Sequence, residues 1–309
     1  MGQTTRVKLK SSFSHLPMLF KQAYSKLVQN DPLRMAGATA FFTSFALPFI
    51  LIILTQVLSL IINPLKLRRE LYEDLSSVFG AESVGQVVNT LIAFRQLADN
   101  WFITIVGSLF LLMVATTLLM IVKGSINQLW RIRVKGGRGF VKRLRTRLQS
   151  ILIIVATAIL IVISILAQAA KANMSEGLHD LSPTAAFYFT NAVSYFLSLL
   201  FVTLWFGIIF RLLPDARPTW KIAFTGSFIT AILFTIGKFL LGLLLTYSNL
   251  NNLYGASASV VLVLLFVFYS SLIMYFGAAF TCACADYLHK PIKPLDYATR
   301  YTVTKVVED

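Results

Sequence analysis

The sequence predicts an all-α, polytopic membrane protein with six transmembrane helices, and three observations lead to this fold class. First, 57% of the 309 residues are hydrophobic and only 13% are charged, which is too little polar surface for a soluble chain of this length. Second, six apolar stretches are each long enough to cover a hydrocarbon core of about 30 Å at roughly 1.5 Å per residue. Third, the Lys and Arg residues concentrate in every second segment between those stretches.

The apolar stretches set the predicted domain boundaries. We expect a membrane domain at 34–285, between a cytoplasmic N-terminal segment at 1–33 and a cytoplasmic tail at 286–309. The six predicted spans are 35–62, 101–122, 148–170, 185–210, 222–246 and 257–281. They are apolar nearly all round, whereas the helices of a soluble core alternate apolar and polar residues at the helical period. Membrane β-strands are about ten residues long and alternate in polarity, so a barrel is excluded.

The basic residues predict the orientation. Of the 28 Lys and Arg residues, 22 lie in 1–34, 123–147, 211–221 and 286–309. Positive segments stay on the cytoplasmic side during insertion, so both termini are expected in the cytoplasm. The net charge of +15 then reflects orientation and attraction to anionic lipid headgroups at the cytoplasmic face. Nucleic-acid binding is not expected, because the basic runs 131–135 and 142–147 of the segment 123–147 lack interleaved aromatic residues.

Local signals refine the N-terminal half of the chain. Asp31 and Pro32 predict a helix that begins at Pro32, because proline is favoured at the first helical position. Pro48 would kink the first span by removing one backbone hydrogen bond. The external segment 65–100 carries apolar residues at spacings of three and four, which predicts two amphipathic external helices joined near 80–83.

The residue inventory disfavours catalysis. The predicted spans contain no Asp or Glu, and all three His residues lie outside them, so neither carboxylate relays nor a metal-bound water is supported. Ser227 and Lys238 share a helix face but are separated by about 16 Å along the axis, too far for proton transfer. Cys282 and Cys284 lie about 200° apart around their helix, which favours a packing role over a metal pair. We therefore expect no enzyme activity, no metal and no cofactor.

Lys238 is the one ionisable residue inside a predicted span. One interpretation is that its side chain extends to the outer membrane surface and is only tolerated there. The other is that it lines a polar cavity that opens outward, because it lies on a small and polar stripe of its helix with Ser227 and Thr235. Polar residues also fall in the outer halves of other predicted spans. The candidate substrate-binding residues are Lys238, Thr235, Ser227, Asn191, Gln56, Gln168 and Ser259.

Several short motifs, taken in their order, resemble the family called YihY or virulence factor BrkB. They are Ala36–Phe42 with Pro48, Asn127–Arg131, Phe210–Arg217, Gly226, Gly237–Lys238, Leu253–Ala256 and Tyr275–Ala278. The residues that carry the family motifs include Asn127, Trp130, Arg131, Pro214, Tyr254, Gly255 and Gly277. The resemblance covers about residues 25–288.

The resemblance implies a six-helix, multi-pass protein of the cell inner (plasma) membrane. Some members of the family are linked to lipid or lipopolysaccharide export, and an older label as a tRNA-processing ribonuclease is regarded as mistaken. The family usually has an acidic residue after the Gly-Ala of its last span, whereas Ala279 stands there in this chain. A mechanism that depends on that carboxylate is not expected here.

These observations predict a non-enzymatic transporter or flippase-like protein that handles lipid, or another amphipathic anion, through an outward-facing polar cavity. The predicted partners are membrane lipids. The alternative is a structural or scaffolding protein of the cell envelope. A ribonuclease is the third and weakest reading, because the cytoplasmic acids Asp31, Asp215, Asp286 and Asp296 show no metal-site spacing.

Overall fold

The computed structural model describes a mostly helical chain. The described residues are 15–44, 101–135, 148, 151–164, 166–167, 170–171, 183–247 and 258–302. The two predicted amphipathic helices of 65–100 and the predicted kink at Pro48 lie outside them.

The described part contains helices and short strands. The helices are α1 (Leu16–Val28), α2 (32–44), α3 (Trp101–Leu129), α4 (Ile151–Ser164), α5 (Pro183–Leu212), α6 (Trp220–Tyr247) and α7 (Ala258–Tyr287). The strands are β1 (Ile132–Val134), β2 (Ala216–Arg217), β3 (Lys293–Pro294) and β4 (Ala298–Arg300).

The first two helices follow local sequence signals. In α1, Leu19, Ala23 and Leu27 recur every four residues, and this buried face packs against α7. A break follows at Asp31, whose φ of 53° lies in the left-handed region. Helix α2 then begins at Pro32, as predicted from the sequence.

The long helices exceed the length that a membrane requires. Helices α3, α5, α6 and α7 have 28 to 30 residues, against about 20 for a hydrocarbon core. Within the described residues, three segments are long and apolar enough to cross a membrane, namely Phe189–Leu212, Trp220–Leu243 and Val261–Tyr287. Ile151–Ser164 is a shorter apolar helix. The helices therefore continue beyond the hydrophobic runs that reveal them in the sequence.

Helices α6 and α7 approach each other through two reciprocal Gly–Thr contacts. A Cβ added at Gly226 would overlap Thr281, and one added at Gly277 would overlap Thr230. Each threonine donates to the carbonyl of the glycine four residues earlier in its own helix, at 2.6 Å for Thr230 and 2.8 Å for Thr281. This pairing shows that the two helices run antiparallel. Their close approach depends on glycine at the crossing, because any side chain there would overlap the partner helix.

The four strands tie the predicted tail to the loops at one end of the helices. β1 pairs antiparallel with β4, with Ile132 opposite Arg300, and β2 pairs with β3, with Arg217 opposite Lys293. Leu295 also donates its backbone N–H to the Asp215 carbonyl. Residues 290–302 therefore fold back onto the bundle.

Large buried side chains concentrate near this same end. They are Trp130, Phe206, Phe210, Tyr275 and Phe280. The Trp130 indole N–H donates to the Ala278 carbonyl at 2.8 Å, so the aromatic core fixes the end of α3 against α7.

Candidate functional site

The predicted stripe on α6 is buried in its first half and exposed in its second. Ser227 and Ala231 are fully buried, whereas Thr235 and Lys238 are exposed. Residues eleven apart complete about three helical turns, so Ser227 and Lys238 lie on nearly the same flank. At the level of Ser227 this flank is covered by α5, where a Cβ added at Gly207 would lie 3.5 Å from Ser227 Oγ. Further along α6, the same flank is open.

The hydroxyl groups of the stripe already use their protons. Ser227 Oγ donates to the Phe224 carbonyl at 3.1 Å, and Thr235 Oγ1 donates to the Ala231 carbonyl at 2.8 Å. A hydroxyl has a single donor, so these two retain only the capacity to accept. An anion needs donors, and in this stripe the Lys238 ammonium is the group that can supply them.

Lys238 lies far along its helix from the basic end of the bundle. Eighteen residues separate it from Trp220, which corresponds to about 27 Å along the axis. Trp220 is half exposed at the start of α6, as expected of an aromatic residue at a membrane interface. With Trp220 at one interface, the Lys238 ammonium would come within reach of the opposite headgroups.

The other predicted site residues are placed only in part. Asn191 is exposed on α5. On the same helix, Ser194 accepts a hydrogen bond of 2.7 Å from Lys171 Nζ, a contact that the sequence did not reveal. Gln56, Gln168, Tyr254, Gly255 and the side chain of Ser259 lie outside the described residues. The convergence of these polar residues with Lys238 stays a prediction.

A second polar cluster surrounds the buried carboxylate of Asp215. Lys123 Nζ lies 2.7 Å from Asp215 Oδ1, and both side chains are nearly buried, with 8% and 4% exposed. Asn127 Nδ2 and the Tyr297 hydroxyl donate to the same carboxylate at 2.8 and 2.9 Å. Asn127 also accepts from the Asp215 backbone N–H at 2.9 Å. The cluster joins α3, the turn after α5 and the C-terminal segment.

The cluster places a second basic residue, Lys123, on a long helix, just beyond the predicted span 101–122. The sequence placed Lys123 in a loop after a span ending at 122, but α3 continues to Leu129 and carries Lys123 inside the bundle. The extension was missed because Lys, Asn and Gln lower the local hydrophobicity without opposing a helix. The sequence held two hints of this cluster. Asp215 is an acidic residue between two apolar runs, and Asn127 belongs to another of the family motifs.

The remaining motif residues hold this end of the bundle together. Arg131, with a φ of 57°, follows the last turn of α3, and its carbonyl accepts from the Tyr301 N–H at 3.0 Å. Pro214 and Trp130 are buried, and Gly277 makes the close contact with Thr230. The family motifs that fall on described residues therefore map mainly to packing and to loop anchoring.

Cys282 and Cys284 are buried free thiols on α7. Across the residues that the structure describes, no group of three or more His, Cys, Asp or Glu side chains could hold a metal ion. Near Cys282, Asp286 instead pairs with Lys26 at 2.8 Å and with Arg300 at 3.3 Å. These ion pairs connect α1 and β4 to the end of α7.

Comparison with known proteins gives one consistent family. The family model described as virulence factor BrkB matches residues 23–298. A UPF0761 membrane protein of Mannheimia succiniciproducens is 25% identical over 88% of this chain and 91% of its own length. One from Saccharophagus degradans is 25% identical over 96% of this chain and 65% of its own length.

Other relatives are longer than this chain. A UPF0761 membrane protein of Pseudomonas paraeruginosa is 28% identical over 65% of the chain and 46% of its own length, so the match spans about half of that relative. No solved structure matches significantly. The family match extends over most of the 309 residues, and the described helices include membrane-type segments. This chain is therefore a membrane protein that belongs to the virulence factor BrkB family.

Proposed function

We propose that this protein binds and moves a lipid, or another amphipathic anion, across the membrane without catalysing a reaction. The proposal includes six spans in the inner membrane, both termini in the cytoplasm and a polar cavity that opens outward. The observation that carries it is the flank of α6 that is buried at Ser227 and open at Lys238.

The charge of the open flank favours an anionic ligand. Lys238 supplies a cation with three N–H donors, and the described part of the stripe contains no carboxylate. A cation at the centre of the hydrocarbon region costs at least about 2.5–3.5 kcal/mol on insertion scales, and Lys238, whose side chain reaches towards the headgroups from the outer part of α6, bears a smaller part of that cost. A phosphate group would offset that cost.

The surroundings of Lys238 favour an amphipathic ligand over a small ion. Ile236, Phe239 and Leu240 are exposed next to it, as expected of a surface that contacts lipid chains. A lipid could place its headgroup at Lys238 and leave its acyl chains along these side chains. A small inorganic anion would gain nothing from the apolar neighbours.

The contacts also support a role without catalysis. Ser227 is buried and bonded to its own helix, while Lys238 is exposed about three turns away, so they do not form a nucleophile and base pair. Asp215 is held by three side chains and is not available to bind a metal for phosphodiester chemistry. Both features disfavour the ribonuclease interpretation.

The test is lipid translocation by the purified chain reconstituted in liposomes, with Lys238→Ala compared with Lys238→Arg. We expect Ala to slow the movement of a fluorescent anionic phospholipid and Arg to retain most of it, because Arg keeps the charge and its donors. Lys221→Ala is the matched control, since Lys221 is an exposed lysine at the opposite end of α6. If all three variants translocate lipid at the wild-type rate, Lys238 has no part in transport.

A scaffolding role is the second candidate, and the dense packing around Asp215 and at the Gly–Thr crossing favours it. A scaffold would need no open flank and no cation at Lys238. In the same liposomes it would leave lipid movement at the level of protein-free vesicles in the wild type.

A further inference from the structure

A basic cavity lies at the end of the bundle opposite to Lys238. It has a volume of about 560 Å³ and is formed by the end of α5, the β2–β3 pair, the start of α6 and the turn after α7. Its polar lining consists of Arg211, Arg217, Thr219, His289, Lys290 and Lys293. None of the described residues that line it is acidic.

The fold holds these cations together with no acidic residue in the described lining. The β2–β3 register places Arg217 directly opposite Lys293, an arrangement of like charges that is unfavourable in an isolated strand pair. Two nearby carboxylates are engaged elsewhere, Asp215 with Lys123 and Asp286 with Lys26 and Arg300. A third, Asp296, follows the lining residue Leu295 but is not itself part of the lining. An anion in the cavity would relieve this repulsion.

Arg211 is already oriented for such an anion. Its guanidinium lies over the Trp220 ring, 5.2 Å from the ring centroid, and donates to the Pro218 carbonyl. A guanidinium has five N–H donors in a fixed plane, so donors remain for a phosphate. Helix α6, which has 28 residues, begins directly after the lining residue Thr219. The positive end of its dipole therefore lies beside the cavity.

Apolar residues next to the lining in sequence favour a lipid over a soluble anion. Leu212, Trp220 and Leu288 are exposed and directly adjoin, in sequence, the lining residues Arg211, Thr219 and His289. Trp and Leu next to basic groups suit the boundary between headgroups and acyl chains. A soluble phosphate would contact only the basic residues and would gain nothing from these exposed apolar side chains.

We propose that this cavity binds the phosphate headgroup of an anionic phospholipid, with Arg211 and Arg217 as the principal phosphate donors and the acyl chains along Trp220 and Leu288. The site is separate from Lys238 and needs no transport activity. On the predicted topology it takes lipid from the cytoplasmic leaflet.

The test measures thermal stabilisation of the detergent-solubilised full chain by added phosphatidylglycerol, with phosphatidylcholine and inorganic phosphate as comparison ligands. We expect stabilisation by phosphatidylglycerol only. In Arg217→Gln/Lys293→Gln, we expect the apparent affinity to fall by about tenfold, equivalent to about 1.4 kcal/mol. Arg133→Gln/Lys21→Gln removes the same charge from exposed positions outside the cavity and should bind like the wild type.

Several outcomes would overturn this proposal. Equal losses in the two double variants would indicate attraction by net charge alone. Equal stabilisation by inorganic phosphate would identify a soluble anion as the ligand. Arg211→Lys provides a second variant with charge unchanged, and we expect it to weaken binding, because Lys lacks the planar fork. Unaltered phosphatidylglycerol binding in both cavity variants would remove the site, whatever the translocation assay shows for Lys238.

Discussion

Asp215 is a buried residue on which polar contacts from three separate segments converge. Its carboxylate accepts from Asn127 and Tyr297 and forms an ion pair with Lys123, so a single side chain connects α3, the α5–α6 turn and the C-terminal segment. A buried ion pair of this kind contributes modestly as a pair but is costly to break from one side. Its role here is to fix the relative positions of segments that are distant in sequence.

Replacing Lys123 alone should therefore destabilise the protein strongly. We expect Lys123→Met to cost about 3–5 kcal/mol, because Asp215 would remain charged and buried without its cation. Lys123→Met/Asp215→Asn should lose less, since the neutral amide can still accept hydrogen bonds from its neighbours. Thermal unfolding in detergent measures both, with the exposed Lys221→Met as control. A melting temperature for Lys123→Met equal to that of the control would contradict this account.

At the scale of elements, three glycines lie where α6 and α7 approach closely: Gly237 faces Tyr269, and the other two face threonines. Gly226 and Gly277 each face a threonine of the other helix at a separation that leaves no room for a methyl group. The threonines use their hydroxyl protons within their own helices, so the contact is one of shape. Such crossings stabilise membrane helices where no hydrophobic effect drives them together.

We expect Gly277→Ala to destabilise the bundle, because its new Cβ would overlap Thr230. Gly124→Ala is the matched control, since a Cβ at Gly124 meets nothing within 4 Å and alanine is the better helix former by about 1 kcal/mol. The double variant Gly277→Ala/Thr230→Gly also removes the side chain that the new Cβ would overlap. It should therefore recover part of the lost stability. Thermal unfolding in detergent measures these effects. Equal melting temperatures for Gly277→Ala and Gly124→Ala would contradict this account of the crossing.

The helices were predictable from the sequence to different degrees. The runs behind α5 and α6 lie within two residues of the observed helices, because a long apolar run has few alternatives to a membrane helix, whereas α7 continues six residues beyond its run. The strands were not foreseen, since two or three residues are too few for an alternating pattern. Lys238 could be placed on a flank by spacing alone, whereas the Asp215 cluster required tertiary contacts between segments 88 and 82 residues apart.

At the scale of the whole molecule, the two ends of the described bundle differ. One end is closed by the aromatic core around Trp130, the Asp215 cluster and the strand pairs. Towards the other end, the flank of α6 that carries Lys238 is exposed. A protein that admits lipid from one side would combine such a fixed end with an open one.

The orientation of these ends can be measured by labelling single cysteines. In a Cys282→Ala/Cys284→Ala background, a membrane-impermeant maleimide added to the outside of spheroplasts should label Glu176→Cys, because Glu176 lies in the segment 171–183, which is predicted to be external. It should not label Lys21→Cys or Asp296→Cys, because the positive segments are predicted to be cytoplasmic. Labelling of Lys21→Cys or Asp296→Cys in sealed spheroplasts would contradict the predicted topology.

The most direct measurement of the central claim is lipid movement in liposomes that contain the wild-type protein. A fluorescent anionic phospholipid is placed in both leaflets, and a quencher is added that reaches only the outer leaflet. If the protein transports lipid, the fluorescence of lipid that starts in the inner leaflet is also lost. The rate should fall in Lys238→Ala and hold in Lys221→Ala. If quenching with the wild-type protein stops at the outer-leaflet fraction seen in protein-free liposomes, the protein does not move lipid and the proposed function is wrong.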